Sequence, residues 1–125
     1  MQMSDYSSPY GDWRGQTQFQ MTAKGQRVAE AHSVVPMTIT IDPQGKVVGA
    51  SPDNGCRLLG IAAPGLSSNI LHLDVSFSAC RYAAFNRRFS GTLALYMRDK
   101  NVQLGLNSFA ISPAEQFDVR ATMRR

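Results

Sequence analysis

Between Trp13 and Lys24 the chain alternates with a period of two, which limits its fold more than any other feature. Trp13, Gly15, Thr17, Phe19, Met21 and Ala23 share one parity, and Arg14, Gln16, Gln18, Gln20, Thr22 and Lys24 share the other. A strand sends successive side chains to opposite faces, so this segment has one apolar and one wet face, whereas a helix would mix them. The pattern returns at Val35–Ile41, Leu71–Phe77, Phe89–Met97, Val102–Leu106 and Phe117–Met123. Turn chemistry separates these runs. Asp42-Pro43-Gln44-Gly45 joins a proline with fixed φ to a glycine that tolerates positive φ, and Ser51-Pro52-Asp53-Asn54-Gly55 ends in the Asn-Gly pair favoured in hairpins. Lys46–Ala50 and Cys56–Ala62 read as short strands around that second turn, and Pro64-Gly65 closes the latter.

Two stretches depart from this pattern. Gln26–Ser33 suits either one or two turns of helix or an extended edge strand. Ser112-Pro113-Ala114-Glu115 matches a capping box with proline at the first helical position, and so predicts a short helical turn before the last strand. The expectation is an all-β domain: a compact antiparallel sandwich or barrel of about seven to eight short strands, with at most one or two short helical turns. The connections are too short for parallel crossovers. Glycines inside strands, at positions 15, 60, 91 and 105, fit bends or close backbone approach in a curved sheet.

With 125 residues, 43% of them hydrophobic and 18% charged, the chain suits one folded domain and excludes an α/β barrel or a two-domain enzyme. Residues 1–11 read as a flexible polar lead-in carrying Tyr6 and Tyr10, and residues 12–125 as a single β-domain. The net charge is +4, with ten arginines among 13 cations. This mildly basic balance lacks the clustered face of a nucleic-acid binder, so no nucleic-acid partner is expected. The arginine-rich strand Arg120–Arg125 reads as a charged sheet edge that resists aggregation. No run approaches the ~20 apolar residues of a membrane helix, and no apolar leader is present. The chain is therefore either cytosolic or the mature form of an exported protein.

Cysteine usage bears on that choice. Cys56 and Cys80 form no C-x-x-C pair and have no histidine at metal-ligand spacing, which argues against zinc. They are either disulfide-bonded or two buried thiols. Each ends a strand-like run, which suits a staple between strands, and a closed loop of this size stabilises by about 3 kcal/mol in chain-entropy terms. A bond would place the protein in an oxidising compartment such as the periplasm.

Catalytic chemistry finds no foothold. The two histidines, His32 and His72, stand near no nucleophile elbow; Ser67 and Ser68 lie in a loop without a base. The nine carboxylates sit mostly in turns or at strand ends, where aspartate forms turns. No cofactor-, nucleotide- or metal-binding motif occurs. A non-enzymatic protein without cofactors is expected.

The most suggestive segment is Cys80–Phe89, where arginines and aromatics interleave. Arg81, Arg87 and Arg88 suit carboxylate or phosphate groups of a partner, and Tyr82 and Phe85 suit contact area at a protein interface. The plainer reading is a loop whose aromatics cap the core while its arginines stay solvated. On the first reading, replacing Arg87 and Arg88 weakens partner binding and leaves the melting temperature unchanged.

Several local patterns lie in view together: Tyr10-Gly11-Asp12-Trp13-Arg14-Gly15, then Gly45 and Gly49, then Asn54-Gly55-Cys56 with Gly60, then Phe77-Ser78-Ala79-Cys80 and Phe89-Ser90-Gly91-Thr92-Leu93-Ala94-Leu95. In this the chain resembles small envelope lipoproteins of Gram-negative bacteria with a compact β-domain, over about residues 10–95. Secretion-system pilot lipoproteins, which bind an outer-membrane secretin subunit, are one such group. The resemblance implies a location in the periplasm or on the periplasmic face of the outer membrane, anchoring through a lipid carried outside this sequence, and another envelope protein as partner. Its motifs are turn glycines and cysteines, so no binding residue carries over. Two other functions suit the same scaffold: an inhibitor or immunity protein that blocks a target enzyme with Pro52–Gly55 or Pro64–Asn69, and a small barrel that carries a lipid or other apolar ligand.

Overall fold

The computed structural model describes residues 8–65, 67 and 69–125. Nine strands follow one another: β1 (Gly11–Ala23), β2 (Gln26–Arg27), β3 (Ser33–Ile41), β4 (Lys46–Ser51), β5 (Cys56–Pro64), β6 (Ile70–Ser78), β7 (Arg88–Arg98), β8 (Asn101–Ile111) and β9 (Glu115–Arg124). Apart from the two-residue β2, each pairs antiparallel with its sequence neighbour, and β1 pairs with both β3 and β9. The result is a closed, up-and-down barrel of eight strands, with β2 as a short flap on the end of β1. The all-β expectation of a sandwich or barrel is met as a barrel; closure gives each long strand a neighbour on both sides, with Val34–Pro36 of β3 and Tyr96–Arg98 of β7 paired on one side only.

The alternation seen in the sequence becomes the two faces of the wall. Trp13, Phe19 and Met21 of β1 point inward, as do Met37, Ile39 and Ile41 of β3, Phe89 and Leu93 of β7, and Phe117, Val119 and Met123 of β9. Outward positions carry mostly Gln, Thr, Ser, Arg and Asp. This is the reverse of a transmembrane barrel, whose apolar face meets lipid. The interior is filled by side chains, as an eight-stranded barrel permits. Trp13, Phe19, Phe85, Phe89 and Phe117 are its largest fully buried members. At about 1.5–3 kcal/mol per fully buried large apolar side chain, this filling is the main favourable term in folding.

Closing the wall bends its strands sharply, and glycine marks the tightest places. A Cβ at Gly15 would stand 2.0 Å from the Thr122 carbonyl oxygen, and one at Gly91 would stand 1.9 Å from that of Asn107. Neighbouring backbone occupies the space of a side chain at both positions.

Several local expectations need correction. Ser112 and Glu115 make one of the two bonds of a capping box: Glu115 N–H donates to Ser112 Oγ at 3.1 Å, while the Glu115 carboxylate accepts from the Ser112 hydroxyl at 2.9 Å and not from its backbone N–H. The Ser112 N–H donates instead to the Glu115 carbonyl at 2.9 Å, which closes a β8–β9 hairpin in place of a helical turn. Three single 3-10 turns occur instead among the described residues, at Ala29–Ala31, Pro52–Asn54 and Ala83–Phe85. The first lies in the ambiguous Gln26–Ser33 stretch, whose start is β2. The second replaces the expected tight Asn-Gly hairpin, with Gly55 left-handed at φ 79°. Tight turns with two positive φ values fall at Lys24-Gly25 and Asp99-Lys100. The strand ending at Arg124 is no edge, because β8 and β1 flank β9. Of the lead-in, residues 1–7 lie outside the described residues. Pro9 accepts a bond from Trp13 Nε1 at 2.8 Å, and Tyr10 accepts one from Arg125 at 2.9 Å.

Gly91→Ala is expected to lower the melting temperature sharply or prevent folding, because the methyl group meets fixed backbone. Lys100→Gly is expected to raise stability by about 1 kcal/mol, because lysine is held at positive φ there. Urea unfolding of both variants against the parent checks the pair.

Candidate functional site

The segment singled out in the sequence closes one end of the barrel. Cys56 and Cys80 are bonded, which joins the start of β5 to the chain just beyond β6. Ala79, at φ 60°, turns the chain there, and Cys80 N–H donates to Asn86 Oδ1 at 2.9 Å. Arg81 N–H reaches the Asn54 carbonyl at 2.8 Å, and Phe77 N–H reaches that of Arg87 at 3.0 Å. The disulfide suggests an oxidising compartment.

The five candidate partner residues separate within this cap. Phe85, 2% exposed, enters the barrel from the Ala83–Phe85 turn and presents no outer surface. Its ring meets Phe19 and Phe117 edge-on, each at 5.5 Å between centroids, and stacks on Phe89 at 6.4 Å. Tyr82 is half-buried beside it, with ring centroids 6.1 Å apart. The Arg87 guanidinium lies over the Phe117 ring, 4.1 Å from the centroid, while its Nε donates to the Ala84 carbonyl at 2.7 Å. Arg81 Nη1 donates to the Asp53 carbonyl at 2.8 Å and holds down the β4–β5 turn. Arg88 alone stands on the outer wall, in a bidentate ion pair with Asp74. Phe85 thus sits as a capping aromatic would, while Arg87 is half-buried over Phe117 and is not a solvated arginine, so its loss is expected to lower stability as well.

Beneath the cap lies a cavity of about 190 Å³, lined by the disulfide together with His32, Asn54, Arg81 and Tyr82. The buried Nδ1 of His32 has no partner among the described residues. The loop Pro52–Gly55, with Pro52 and Asp53 exposed, is tied to Arg81 and to Ser51, whose hydroxyl donates to Asn54 Oδ1 at 2.6 Å. The alternative loop Pro64–Asn69 lies partly outside the described residues, at Leu66 and Ser68.

The outer wall holds what the sequence reading missed. Val48 of β4 and Leu59 of β5 are direct cross-strand partners, with Ile61 two residues further along, and all three face solvent; Leu59 is 56% and Ile61 61% exposed. Phe109 and Ile111 project from β8, three strands further round the barrel than β5. Register places Arg88 and Asp74 between the two apolar groups, through Leu59–Ser76–Arg88 and Ile61–Asp74–Ser90–Phe109. A signal existed: Val47-Val48 and Leu58-Leu59 break the alternation, and one member of each pair has to face outward.

Hydrogen bonding from Arg88 holds the Asp74 carboxyl below the ordinary aspartate range. A lowered native value favours the charged form, so the pair's contribution is complete above that ordinary range and fades as pH falls through the lowered value. Both groups are exposed, which keeps the contribution small.

Among the described residues no group of three or more His, Cys, Asp or Glu side chains is placed to hold a metal ion. No family model, no curated protein and no solved structure matches this chain.

Two substitutions test the cap. Phe85→Ala is expected to cost about 3–5 kcal/mol, as aromatic truncation in a packed core does. Arg87→Ala is expected to cost about 1 kcal/mol through its ring contact. Urea denaturation of the oxidised proteins measures both, and an unchanged midpoint for Phe85→Ala would contradict its role as a plug.

Proposed function

We propose that this protein is a non-enzymatic binding domain of the bacterial envelope. It acts in the periplasm or on the periplasmic face of the outer membrane, with another envelope protein as its partner. One observation carries the reading. The barrel interior is occupied by its own side chains, while Val48, Leu59 and Ile61 stand exposed together on β4 and β5, next to Asp74 of the Arg88 ion pair. Apolar anchors beside an arginine are the usual composition of protein interface centres. The filled interior weighs against a lipid carrier. The disulfide supports an oxidising location. A secretin subunit, served by a pilot lipoprotein, is the specific partner that the sequence resemblance suggests. Arg88 is then the one residue of the arginine-aromatic segment that meets it.

The oxidised protein serves as bait in an envelope extract, beside a Leu59→Ser/Ile61→Ser variant and an Arg81→Ala control. The wild type and the control are expected to retain one envelope protein that the double variant loses. Capture of a secretin supports the pilot form, and capture of a hydrolase turns the reading to an inhibitor. Equal capture by all three baits, or none, removes the wall from consideration.

A further inference from the structure

A second surface differs in chemistry from the apolar wall. A groove of about 570 Å³ crosses the outside of β7, β8, β9, β1 and β3. Two consecutive rows of paired residues build it. One runs Thr92–Asn107–Arg120–Gln18–Val34, the other Ala94–Gly105–Thr122–Gln16–Pro36. At about 4.8 Å between strands, the rows extend for roughly 19 Å. Their floor is low at Ala94 and Gly105, where side chains are smallest. Tyr96 stands beside the lining there, its ring edge being the nearest side-chain atom to the space a Gly105 Cβ would fill, at 3.4 Å.

Two observations mark the groove as a binding surface. Gln16, Asn107, Arg120 and Thr122 face solvent and make no side-chain hydrogen bond to any described residue; the one ion pair among those residues is Arg88–Asp74, on another part of the wall. The row above places Arg14 of β1 directly opposite Arg124 of β9. Like charges facing each other across antiparallel strands destabilise a sheet, so this pair stands to gain from an anion.

We infer that this groove binds an anionic oligosaccharide, a chain of linked sugars that carries carboxylate, sulfate or phosphate groups. The amides of Gln16 and Asn107 each donate and accept, as do the hydroxyls of Thr92 and Thr122, and this matches the hydroxyls of a sugar. The low apolar floor and the Tyr96 ring suit the C–H faces of sugar rings. Arg120 and the Arg14–Arg124 pair supply charge-assisted bonds to anionic groups. Other extended ligands fit less well. A peptide strand finds no free sheet edge at the groove's centre, where β8, β9 and β1 are paired on both sides. Nucleic acid finds no series of aromatic rings on which to stack bases. The groove lies apart from Val48, Leu59 and Ile61, so a sugar ligand and a protein partner are independent claims.

Titration of the isotope-labelled, oxidised protein with pentagalacturonate, followed by NMR, tests the inference. Saturable shifts are expected at Gln16, Asn107 and Thr122. Arg120→Ala is expected to weaken binding about tenfold, and Arg57→Ala, on the far wall, to leave it unchanged. Gly105→Val fills the floor at a place with room for a Cβ; it is expected to abolish binding at an unchanged melting temperature. Three probes separate the alternatives. Maltopentaose, an uncharged sugar, is expected to bind at least tenfold more weakly, and equal binding overturns the anionic assignment. Equal binding of polyglutamate or oligothymidylate, insensitive to Gly105→Val, reveals a general basic surface and overturns the inference. So does the absence of saturable shifts with pentagalacturonate.

Discussion

The pairing of β1 with β9 is the constraint on which the rest of the molecule depends. Arg14–Ala23 lie against Glu115–Arg124 in continuous antiparallel register, while Gly11–Phe19 lie against β3 on the other side. One strand thus serves two neighbours and turns an open meander into a cylinder. Closure puts Trp13, Phe19 and Met21 in the same interior as Phe117 and Met123. It also sets the curvature that leaves room for nothing beyond hydrogen at Gly15 and Gly91. The buried core and the bend in the wall follow from the same ladder.

Closure does not seal the ends of the cylinder. One end is sealed by a loop whose geometry the barrel ladder does not specify, and three devices hold that loop in place. The disulfide fixes its first residues, Arg81 and Asn86 tie it to neighbouring backbone, and Phe85 fills the space among Phe19, Phe89 and Phe117. Arg87 covers the outer side of Phe117 with its flat cation. The arginine-aromatic interleaving is thus mainly the chemistry of a lid, with Arg88 left for the wall.

How far the fold could be read from the residues depended on whether the signal was local. Period-two alternation is a local property, and it marked the strands and most of the inward-facing core. Ser112–Glu115 misled because a serine hydroxyl accepts from the N–H three residues on in this hairpin as it would at a helix start, and the choice lay with β8 and β9 pairing. The Arg120–Arg125 strand misled because whether a strand is an edge depends on β1, far away in the chain. The exposed wall leaves a trace at Val47-Val48 and Leu58-Leu59, where two adjacent apolar residues of a strand cannot both face inward. The groove was not legible at all: its ten row positions come from five strands, and only strand order and register assemble them.

The closing ladder joins the earliest strand of the barrel to the latest. Until β9 exists, β1 lacks one of its two neighbours, and Phe19 and Met21 lack the far wall that shields them from water. The domain therefore cannot mature piece by piece as it emerges from a ribosome or a membrane channel. Cooperative closure has to wait for the final strand, and the unfinished sheet presents open edges in the interval. A chaperone that shelters those edges, or a fast exit of the whole chain, would matter more to the yield of folded protein than any single contact in the finished barrel.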